Sequence, residues 1–397
     1  MKVLLVSRWF WEERRRQGGG FLREQVEALV EAGVDLTILS QAADAGLEPE
    51  RRESGALHVW VTSREKRKGS CSLADKLVKF WSGHRKAVTD AVVVRQMLRE
   101  HGPFDVVWAQ VEEPDGLVCA LAKLGGFFPP LVTQVYALRY ELEGGGVRFR
   151  KRSALGWVFR SSDRVGANSE ATASWMREHY AASPARIFNY KHHLTQTFLV
   201  AAREAQPVVA EKRILFLGAL NRKKGPDVFL RAAARLATKR PGWNFVMVGG
   251  ETERDDKLKK ELEALAAVPE LAERVEWLGR LPAEGVRREI QRAAVVVCPS
   301  RIEEFSRTTA EALVLGRPVV LTETTGAAGL VRDNGAGRVV PPGNDELLAD
   351  AIESQIASGF RVPAGLSQKI AEELCARQAA ADLIRVFEEV SEQRTGK

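Results

Sequence analysis

Short runs of β-branched and other apolar residues alternate with longer amphipathic stretches along the whole chain. In the first half the strand candidates are residues 2–6, 35–39, 57–61, 105–109, 131–135 and 164–167. In the second half they are residues 213–218, 244–250, 274–279, 294–300 and 317–322. Strands that are apolar on both faces and separated by helices are typical of parallel sheets covered on each side. The sequence therefore predicts an α/β fold with two doubly wound, Rossmann-like domains.

The two series of strands are separated by the segment "VAAREAQPVVAEKR", residues 200–213, where Ala, Pro and charged residues interrupt the apolar periodicity. A chain of 397 residues is also long for a single core. We expect a first domain over residues 1–205, a second over 206–370 and a C-terminal helix within 371–397. The domains would face each other across a cleft at the carboxyl edges of their sheets, the usual ligand position in such folds.

The sequence has no signal for secretion, membrane insertion or a structural metal. No apolar run approaches the roughly 18 residues that a membrane-spanning helix needs, and "MKVLLVSRWF" lacks the cleavage site of a signal peptide. The four cysteines, Cys71, Cys119, Cys298 and Cys375, show no paired spacing. We expect a cytoplasmic protein with reduced thiols.

The net charge of +7 lies almost entirely in the first half, where residues 1–205 hold 30 basic against 24 acidic side chains. The basic residues cluster at 14–16, 64–68 and 148–152. Solvated loops, a phosphorylated acceptor and anionic lipid headgroups on the inner face of a membrane are the open explanations. Nucleic acid fits poorly, because the excess is small and no recognition module is visible.

A glycine run, Gly18, Gly19 and Gly20, stands at the entry to the first helix. Glycines at a helix start allow close backbone approach to an anion. Because the run is not a G-x-G-x-x-G placed directly after the strand, a dinucleotide-dependent dehydrogenase is disfavoured. A flexible surface loop is the alternative.

The second half opens with "ILFLGALNRKKGPDVFLRAAA", a strand, a basic loop and a helix. Pro226 and Asp227 are start signals for that helix. The cations Arg222, Lys223 and Lys224 would lie at the carboxyl edge of the sheet, where they can hold a diphosphate. Lysines solvated in a connecting loop are the alternative.

The stretch "RIEEFSRTTAEALVLGRPVV", residues 301–320, sets Glu303 before a helix and Glu311 within it. Ser306 is expected to cap the helix. A phosphate could bind the backbone amides at the helix start. One carboxylate could accept hydrogen bonds from ribose hydroxyls, and the other could accept them from sugar hydroxyls. The four amides are those of Phe305, Ser306, Arg307 and Thr308.

This stretch resembles the E-x7-E signature of the family-4 retaining glycosyltransferases of the GT-B fold. The order of the other segments is also similar: "NSE" (168–170), "GALNRKKG" (218–225), "WLGRLP" (277–282) and "VVPPGNDELLADAI" (339–352). The resemblance spans almost the whole chain and is more specific in the second half.

The resemblance implies roles for individual residues. Glu311 is similar to the acid that binds the ribose, Glu303 to the acid that faces the donor sugar, and Lys224 to the lysine that neutralises the diphosphate. The loop of Gly18, Gly19 and Gly20 would approach the donor phosphate and the acceptor. The base and diphosphate would be cradled by Gly249, Gly250, Gly279 and Arg280. The last helix would cross back to the first, acceptor-side domain, and the second domain would bind the nucleotide sugar.

The chain departs from the family pattern at several positions. Ala219 replaces an arginine, so Arg222 or Lys223 would supply the missing cation. On the acceptor side, Gln110 and Tyr136 replace histidines, while "NYKHHL" brings in His192 and His193. Either histidine would contact an acceptor or serve in packing.

The resemblance therefore implies a retaining, metal-independent transferase that moves a sugar from a nucleotide-diphosphate sugar in glycan biosynthesis. The acceptor would be a glycan, a lipid-linked molecule or a small molecule. No cofactor and no metal are expected, because cations and helix-start dipoles would stabilise the leaving diphosphate. An epimerase of the same fold and a non-catalytic nucleotide-sugar-binding protein remain the alternatives.

Overall fold

The computed structural model describes residues 1–7, 21–41, 50–62, 85–136, 149–180, 183–203, 209–251 and 255–395. The chain divides into two compact units. Unit 1 comprises Met1–His193 and Ala376–Lys397, and unit 2 comprises Leu194–Cys375.

Unit 1 is built on one eight-stranded sheet. Its strands are β1 (Lys2–Val6), β2 (Asp35–Gln41), β3 (Glu50–Ser54), β4 (Leu57–Thr62), β5 (Val106–Ala109), β6 (Leu131–Val135), β7 (Arg164–Ala167) and β8 (Ile187–Asn189). Their order is β3-β4-β2-β1-β5-β6-β7-β8. Adjacent strands are parallel except for the antiparallel pair β3 and β4.

Helices cover both faces of this sheet. The described helices are α1 (Phe21–Glu31), α2 (Arg85–His101), α3 (Leu117–Lys123), α4 (Phe149–Ser161), α5 (Glu170–Tyr180) and, from the C-terminus, α14 (Ala376–Thr395). Strand residues alternate between two apolar clusters: Leu4 and Val107 pack toward α2 to α5, whereas Leu5 and Trp108 pack toward α1 and α14. The ring centroid of Trp108 lies 5.9 Å from that of Phe387 in α14. The C-terminal helix thus belongs to the core of unit 1.

Unit 2 has a six-stranded, fully parallel sheet. Its strands are β9 (Arg213–Leu217), β10 (Asn244–Val248), β11 (Val275–Gly279), β12 (Val295–Cys298), β13 (Val319–Thr322) and β14 (Gly337–Val340). The order is β11-β10-β9-β12-β13-β14. It reverses between β9 and β12, so their carboxyl ends define the topological switch point at which doubly wound folds bind ligands.

The helices of unit 2 also lie on both faces. They are α6 (Gln196–Arg203), α7 (Pro226–Lys239), α8 (Asp256–Ala266), α9 (Ala283–Arg292), α10 (Arg307–Val314), α11 (Ala328–Asp333), α12 (Asp345–Ala357) and α13 (Ala364–Glu373). Phe198 and Leu199 of α6 pack in one cluster with Leu313 of α10 and Ile370 of α13. For this reason unit 2 begins at Leu194, earlier than the expected boundary at residue 205.

In the part of the chain that the structure describes, no helix combines the length and apolar character needed to cross a membrane. Three cysteines within this part, Cys119, Cys298 and Cys375, are free thiols.

Candidate active site

The loop between β9 and α7 presents Lys224 at the switch point of unit 2. A short 3₁₀ turn over Arg222–Lys224 begins at Asn221, whose side-chain oxygen accepts a hydrogen bond from the Lys224 amide at 3.1 Å. Gly225 ends the turn with φ +69°, and α7 starts at Pro226, as the start signals predict. A Cβ on Gly225 would lie 2.2 Å from the Pro299 carbonyl oxygen. The loop therefore passes directly against the segment that follows β12.

That segment carries Glu303. Its backbone forms an isolated bridge with Thr325, and its carbonyl accepts from the Gly326 amide at 2.9 Å. The Glu303 carboxylate forms an ion pair with Lys224 Nζ. The two side chains are 15% and 24% exposed, so the pair is reachable from solvent but largely shielded. The structure brings these two predicted site residues together.

Helix α10 starts where the sequence predicts, with Ser306 as its N-cap. The Ser306 Oγ accepts from the Thr309 amide at 3.3 Å and lies 2.9 Å from the Thr309 hydroxyl. Ser306 has φ +73°, a left-handed conformation that is strained for a residue with a Cβ. Both hydroxyls lie against the buried Cys298 thiol, and burial raises the pKa of this thiol to about 11. The tight cap sets the direction in which the first amides of α10 point.

Glu311 lies in the second turn of α10. Burial raises the pKa of its carboxyl above the ordinary value, and the nearby positive charge of Arg307 only partly opposes this. Within the part of the chain that the structure describes, no donor forms a hydrogen bond or ion pair with this carboxylate. A half-buried acid without a donor can accept hydrogen bonds from a ligand's hydroxyl groups.

The other two cations of the basic loop are differently placed. The Arg222 guanidinium lies 2.9 Å from Glu261 and 3.8 Å from Asp255, so it is directed toward α8, and its side chain is 48% exposed. The Lys223 carbonyl accepts from the Arg301 amide at 2.7 Å. A role for either side chain in holding a diphosphate stays a prediction.

The glycines at the carboxyl ends of β10 and β11 bring three chain segments together. Gly249 has φ +146°, and a Cβ there would lie 1.8 Å from the Gly218 carbonyl oxygen. Its amide donates to the Gly279 carbonyl at 2.8 Å. Gly250 packs against the Arg280 side chain, whose Nη2 donates to the Glu251 carbonyl at 2.6 Å. These residues lie on the same carboxyl edge as the loop of Lys224.

Gln110 and Tyr136 are neighbours at the carboxyl edge of the sheet in unit 1. The Ser7 hydroxyl donates to Gln110 Oε1 at 2.6 Å, and Gln110 Nε2 donates to the Tyr136 hydroxyl at 3.5 Å. The Tyr136 hydroxyl donates to Gln134 Oε1 at 3.2 Å, an oxygen that also accepts from the Trp108 indole at 3.1 Å. A chain of uncharged hydrogen-bonding groups thus holds the tyrosine in place.

His192 joins this group through aromatic contacts. Its ring centroid lies 5.0 Å from that of Tyr136 and 5.4 Å from that of Tyr190. Asn168 Nδ2 lies 3.3 Å from His192 Nε2 and donates to the Tyr136 carbonyl at 2.9 Å. His193 is almost fully buried. Three of the four predicted acceptor-side residues, Gln110, Tyr136 and His192, are therefore in one cluster.

Comparison with protein families assigns both halves of the chain. Residues 19–188 match the model described as "Glycosyl transferase 4-like domain", and residues 202–372 match "Glycosyl transferases group 1". The chain belongs to the group 1 glycosyltransferases. The chain has the GT-B fold of this family, and its structural neighbours share that fold.

One relative of this glycosyltransferase is a D-inositol 3-phosphate glycosyltransferase from Acidothermus cellulolyticus. It is 26% identical over 360 residues, which cover 86% of this chain and 78% of the relative.

Among solved structures, sucrose-phosphate synthase from Thermosynechococcus elongatus has a TM-score of 0.74 at 19% identity. The alignment covers 98% of this chain and 99% of that chain. Anabaena Alr3699/HepE, in a complex with UDP and glucose, has a TM-score of 0.69 at 19% identity, covering 98% and 99%.

Some predicted residues of the glycosyltransferase lie outside the described ranges. They are Gly18, Gly19 and Gly20, together with Cys71, the basic runs at 14–16 and 64–68, and residue 148; for residues 149–152 only the backbone, in α4, is described. Within the described ranges, no group of three His, Cys, Asp or Glu side chains is arranged to hold a metal ion.

Sequence reasoning missed one residue of this loop region, Arg301. It lies two positions before Glu303 and binds Asp227 in the first turn of α7. The available signal was an arginine three residues after one strand and an acid in the first turn of the helix that follows the neighbouring strand.

Proposed function

We propose that this glycosyltransferase is a retaining enzyme that takes a sugar from a nucleoside-diphosphate sugar, with the donor bound by unit 2. The observation that carries the proposal is the ion pair of Lys224 with Glu303, which lies beside the start of α10. The cap of that helix, Ser306, precedes Glu311 by about one and a half turns. A cation, a helix start and two carboxylates are the groups that a diphosphate flanked by a ribose and a sugar requires.

Each group has a role in the proposed reaction. Lys224 and the first amides of α10 stabilise the negative charge that develops on the leaving diphosphate. Glu303 accepts hydrogen bonds from hydroxyl groups of the donor sugar, and Glu311 accepts hydrogen bonds from the ribose hydroxyls. The bond between the anomeric carbon and the phosphate oxygen breaks. The acceptor oxygen bonds to that carbon on the same face, and its proton passes to the departing phosphate.

No metal is required in this proposal, because Lys224 and the helix start supply positive charge where other transferases use a divalent cation. The name of the relative from Acidothermus and the UDP in the Anabaena complex support a nucleotide donor and a cyclitol-like acceptor.

The acceptor is proposed to bind at the edge of unit 1 where Gln110, Tyr136 and His192 cluster. Amide, phenol and imidazole groups whose rings contact each other at steep angles suit a polyhydroxylated ring, which offers an apolar face and a rim of hydroxyls. The network from Ser7 to Gln134 holds the tyrosine hydroxyl at one position, which favours recognition of a defined hydroxyl geometry.

The experiment is to incubate the pure protein with a panel of UDP-, GDP- and ADP-sugars, alone and with inositol, inositol phosphates and sugar phosphates, in the presence of EDTA. The proposal predicts acceptor-dependent release of the nucleoside diphosphate and a product whose anomeric configuration, read by NMR, matches the donor. Interconversion of the donor sugar without an acceptor would identify an epimerase. Binding without turnover under every condition would identify a binding protein.

We also propose a peripheral contact with an anionic membrane through unit 1. Leu124 and Phe127 are 72% and 78% exposed on one loop, and the neighbouring Arg95 donates to the carbonyls of Gly125 and Phe127. Exposed apolar side chains beside a cation favour a surface of anionic lipids. Sedimentation with phosphatidylglycerol vesicles, lost in the variant Leu124→Ser/Phe127→Ser and absent with phosphatidylcholine alone, is the expected result. Equal sedimentation of the variant would contradict this contact.

A further inference from the structure

Arg301 and Asp227 form a two-pronged ion pair between the segments that follow β12 and β9. Arg301 Nη1 donates to Asp227 Oδ1 at 2.9 Å, and Nη2 donates to Oδ2 at 2.7 Å. The Asp227 side chain is 1% exposed and that of Arg301 is 35% exposed. Arg231 also binds the Asp227 carboxylate. A buried carboxylate with two guanidinium partners is fixed in position more firmly than an exposed pair would be.

The charge state of Asp227 agrees with this arrangement. Burial by itself would raise the pKa of Asp227, but the hydrogen bonds and positive charges of Arg301 and Arg231 outweigh it, so the pKa is lowered. The aspartate is therefore ionised at neutral pH and stays bound to Arg301.

Arg301 also fixes the backbone of the loop that leads to Lys224. Its amide donates to the Lys223 carbonyl at 2.7 Å, and its Nη1 donates to the Arg222 carbonyl at 2.7 Å. The close approach of Gly225 to Pro299 adds a third link between the same two segments. One arginine thus contacts the two residues before Lys224 while lying two residues before Glu303.

From these contacts we infer that Arg301, anchored by Asp227, is a positioning residue that holds Lys224 and Glu303 at a fixed separation for the donor diphosphate. The inference rests on the donor-binding role proposed for Lys224 and Glu303. Arg301 itself is not assigned a contact with the donor, since its guanidinium already donates hydrogen bonds to Asp227 and to the Arg222 carbonyl. A lysine cannot replace it, because an ammonium lacks the planar fork that binds both carboxylate oxygens and a carbonyl together.

The chain offers a matched control in Arg213, at the first position of β9 and hence at the opposite end of that strand. Its side chain is 7% exposed and donates to Glu276 at 2.9 and 2.8 Å and to Glu289 at 2.9 Å. Arg213→Lys removes a comparable buried, forked ion pair. It therefore reports the effect of a merely structural loss at a distance from the loop.

The test compares Arg301→Lys and Arg213→Lys in the full chain, by hydrogen–deuterium exchange and by calorimetric titration with UDP, GDP and ADP. In the parent chain the amides of Lys224 and Gly225 are hydrogen-bonded within the turn, so they report its order. We expect Arg301→Lys to speed exchange over residues 220–226 about tenfold and to weaken the best nucleotide about tenfold. Arg213→Lys should leave the exchange rate over residues 220–226 and the nucleotide affinity within about twofold of the parent chain.

Unchanged exchange and affinity in Arg301→Lys, or equal losses in the two variants, would overturn the inference. A parent chain that binds none of the three nucleotides contradicts the proposed function instead, and the exchange rates of the two variants still decide the positioning role. Should Arg301→Lys fail to fold, Asp227→Asn removes the anchor's charge at nearly constant volume and is expected to give the same faster exchange.

Discussion

Lys224 and Glu303 form an ion pair that joins the loop after β9 to the loop after β12. The two residues are 79 positions apart in sequence, and they meet because β9 and β12 are adjacent at the point where the strand order reverses. In this pairing the lysine's charge is already partly neutralised. A diphosphate must therefore compete with Glu303 for Lys224.

This competition predicts that Glu303→Gln affects two ligands differently. The amide keeps the side-chain shape but removes the negative charge, so free UDP or GDP should bind about fivefold more tightly. The corresponding nucleotide sugar should not gain, because the sugar hydroxyls lose their carboxylate acceptor. Calorimetry with both ligands on one protein preparation measures the difference. A weaker interaction with the free nucleotide would contradict this account of the pair.

Glu311 should make stability and nucleotide binding depend on pH. Its pKa is raised in the folded chain by burial, so the folded state loses stability relative to the unfolded chain as the carboxyl ionises. The parent chain should therefore melt at the same temperature as Glu311→Gln below about pH 4 and about 2 °C lower once the pH exceeds the folded pKa. Melting curves from pH 3 to 8 measure the difference in melting temperature between the two chains.

The exposed Glu346, near the start of α12, provides the control for that series. Glu346→Gln should not raise the melting temperature at high pH as Glu311→Gln does, because an exposed carboxylate keeps its hydration when it ionises. Nucleotide affinity of the parent chain should also fall as Glu311 becomes protonated, because the neutral carboxyl is a poorer acceptor for two ribose hydroxyls. A difference in melting temperature between the parent chain and Glu311→Gln that does not change with pH would contradict a raised pKa of the Glu311 carboxyl in the folded chain.

Gly225→Ala tests the close approach of the two loops. Gly225 and Gly242 have similar backbone angles, φ +69° and +75°, but only at Gly225 would a Cβ meet the Pro299 carbonyl, since Gly242 faces open space. The left-handed strain is thus matched, and the difference isolates the contact. We expect Gly225→Ala to lower the free energy of unfolding in urea by about 2 kcal/mol more than Gly242→Ala does. Equal losses would mean that the loops can separate without cost.

Tyr136→Phe separates acceptor binding from donor binding. Removing the hydroxyl breaks its bonds to Gln110 and Gln134 but leaves unit 2 unchanged. The KM for whichever acceptor speeds donor consumption should rise at least about fivefold, while the nucleotide Kd stays within about twofold. Tyr190→Phe is the matched control, because that hydroxyl donates to the Val135 carbonyl. A rise in acceptor KM of the same size in both variants would argue against a specific role for Tyr136.

The strands of both sheets could be predicted because buried parallel strands leave a strong signal in sequence. The eleven strands expected from apolar runs are all present, with ends displaced by at most a few residues. Three strands were not predicted: β3, β8 and β14. All three lie at the edge of a sheet, and β3 has the polar sequence "ERRES". An edge strand needs no continuous apolar run, so its backbone pairing is invisible to that signal.

The site was predictable where a residue's chemistry fixes its position. The cap at Ser306 follows from its hydroxyl and from the helical pattern after it, yet the positive φ at this serine has no sequence signal. The three cations Arg222, Lys223 and Lys224 are equivalent in sequence, and only the acids of α8 direct Arg222 away from Glu303. Such pairings depend on the packing of distant segments, which spacing along the chain does not encode.

The most direct test of a donor site at Lys224 is a calorimetric titration of UDP, GDP and ADP into the parent chain, Lys224→Ala and Lys239→Ala. Lys239 is 56% exposed near the end of α7, where it pairs with Asp350, and it serves as the control. We predict that the parent chain and Lys239→Ala bind one of these nucleotides equally, and that Lys224→Ala binds it at least tenfold more weakly, about 1.4 kcal/mol. Equal affinity of a folded Lys224→Ala for that nucleotide would contradict the account.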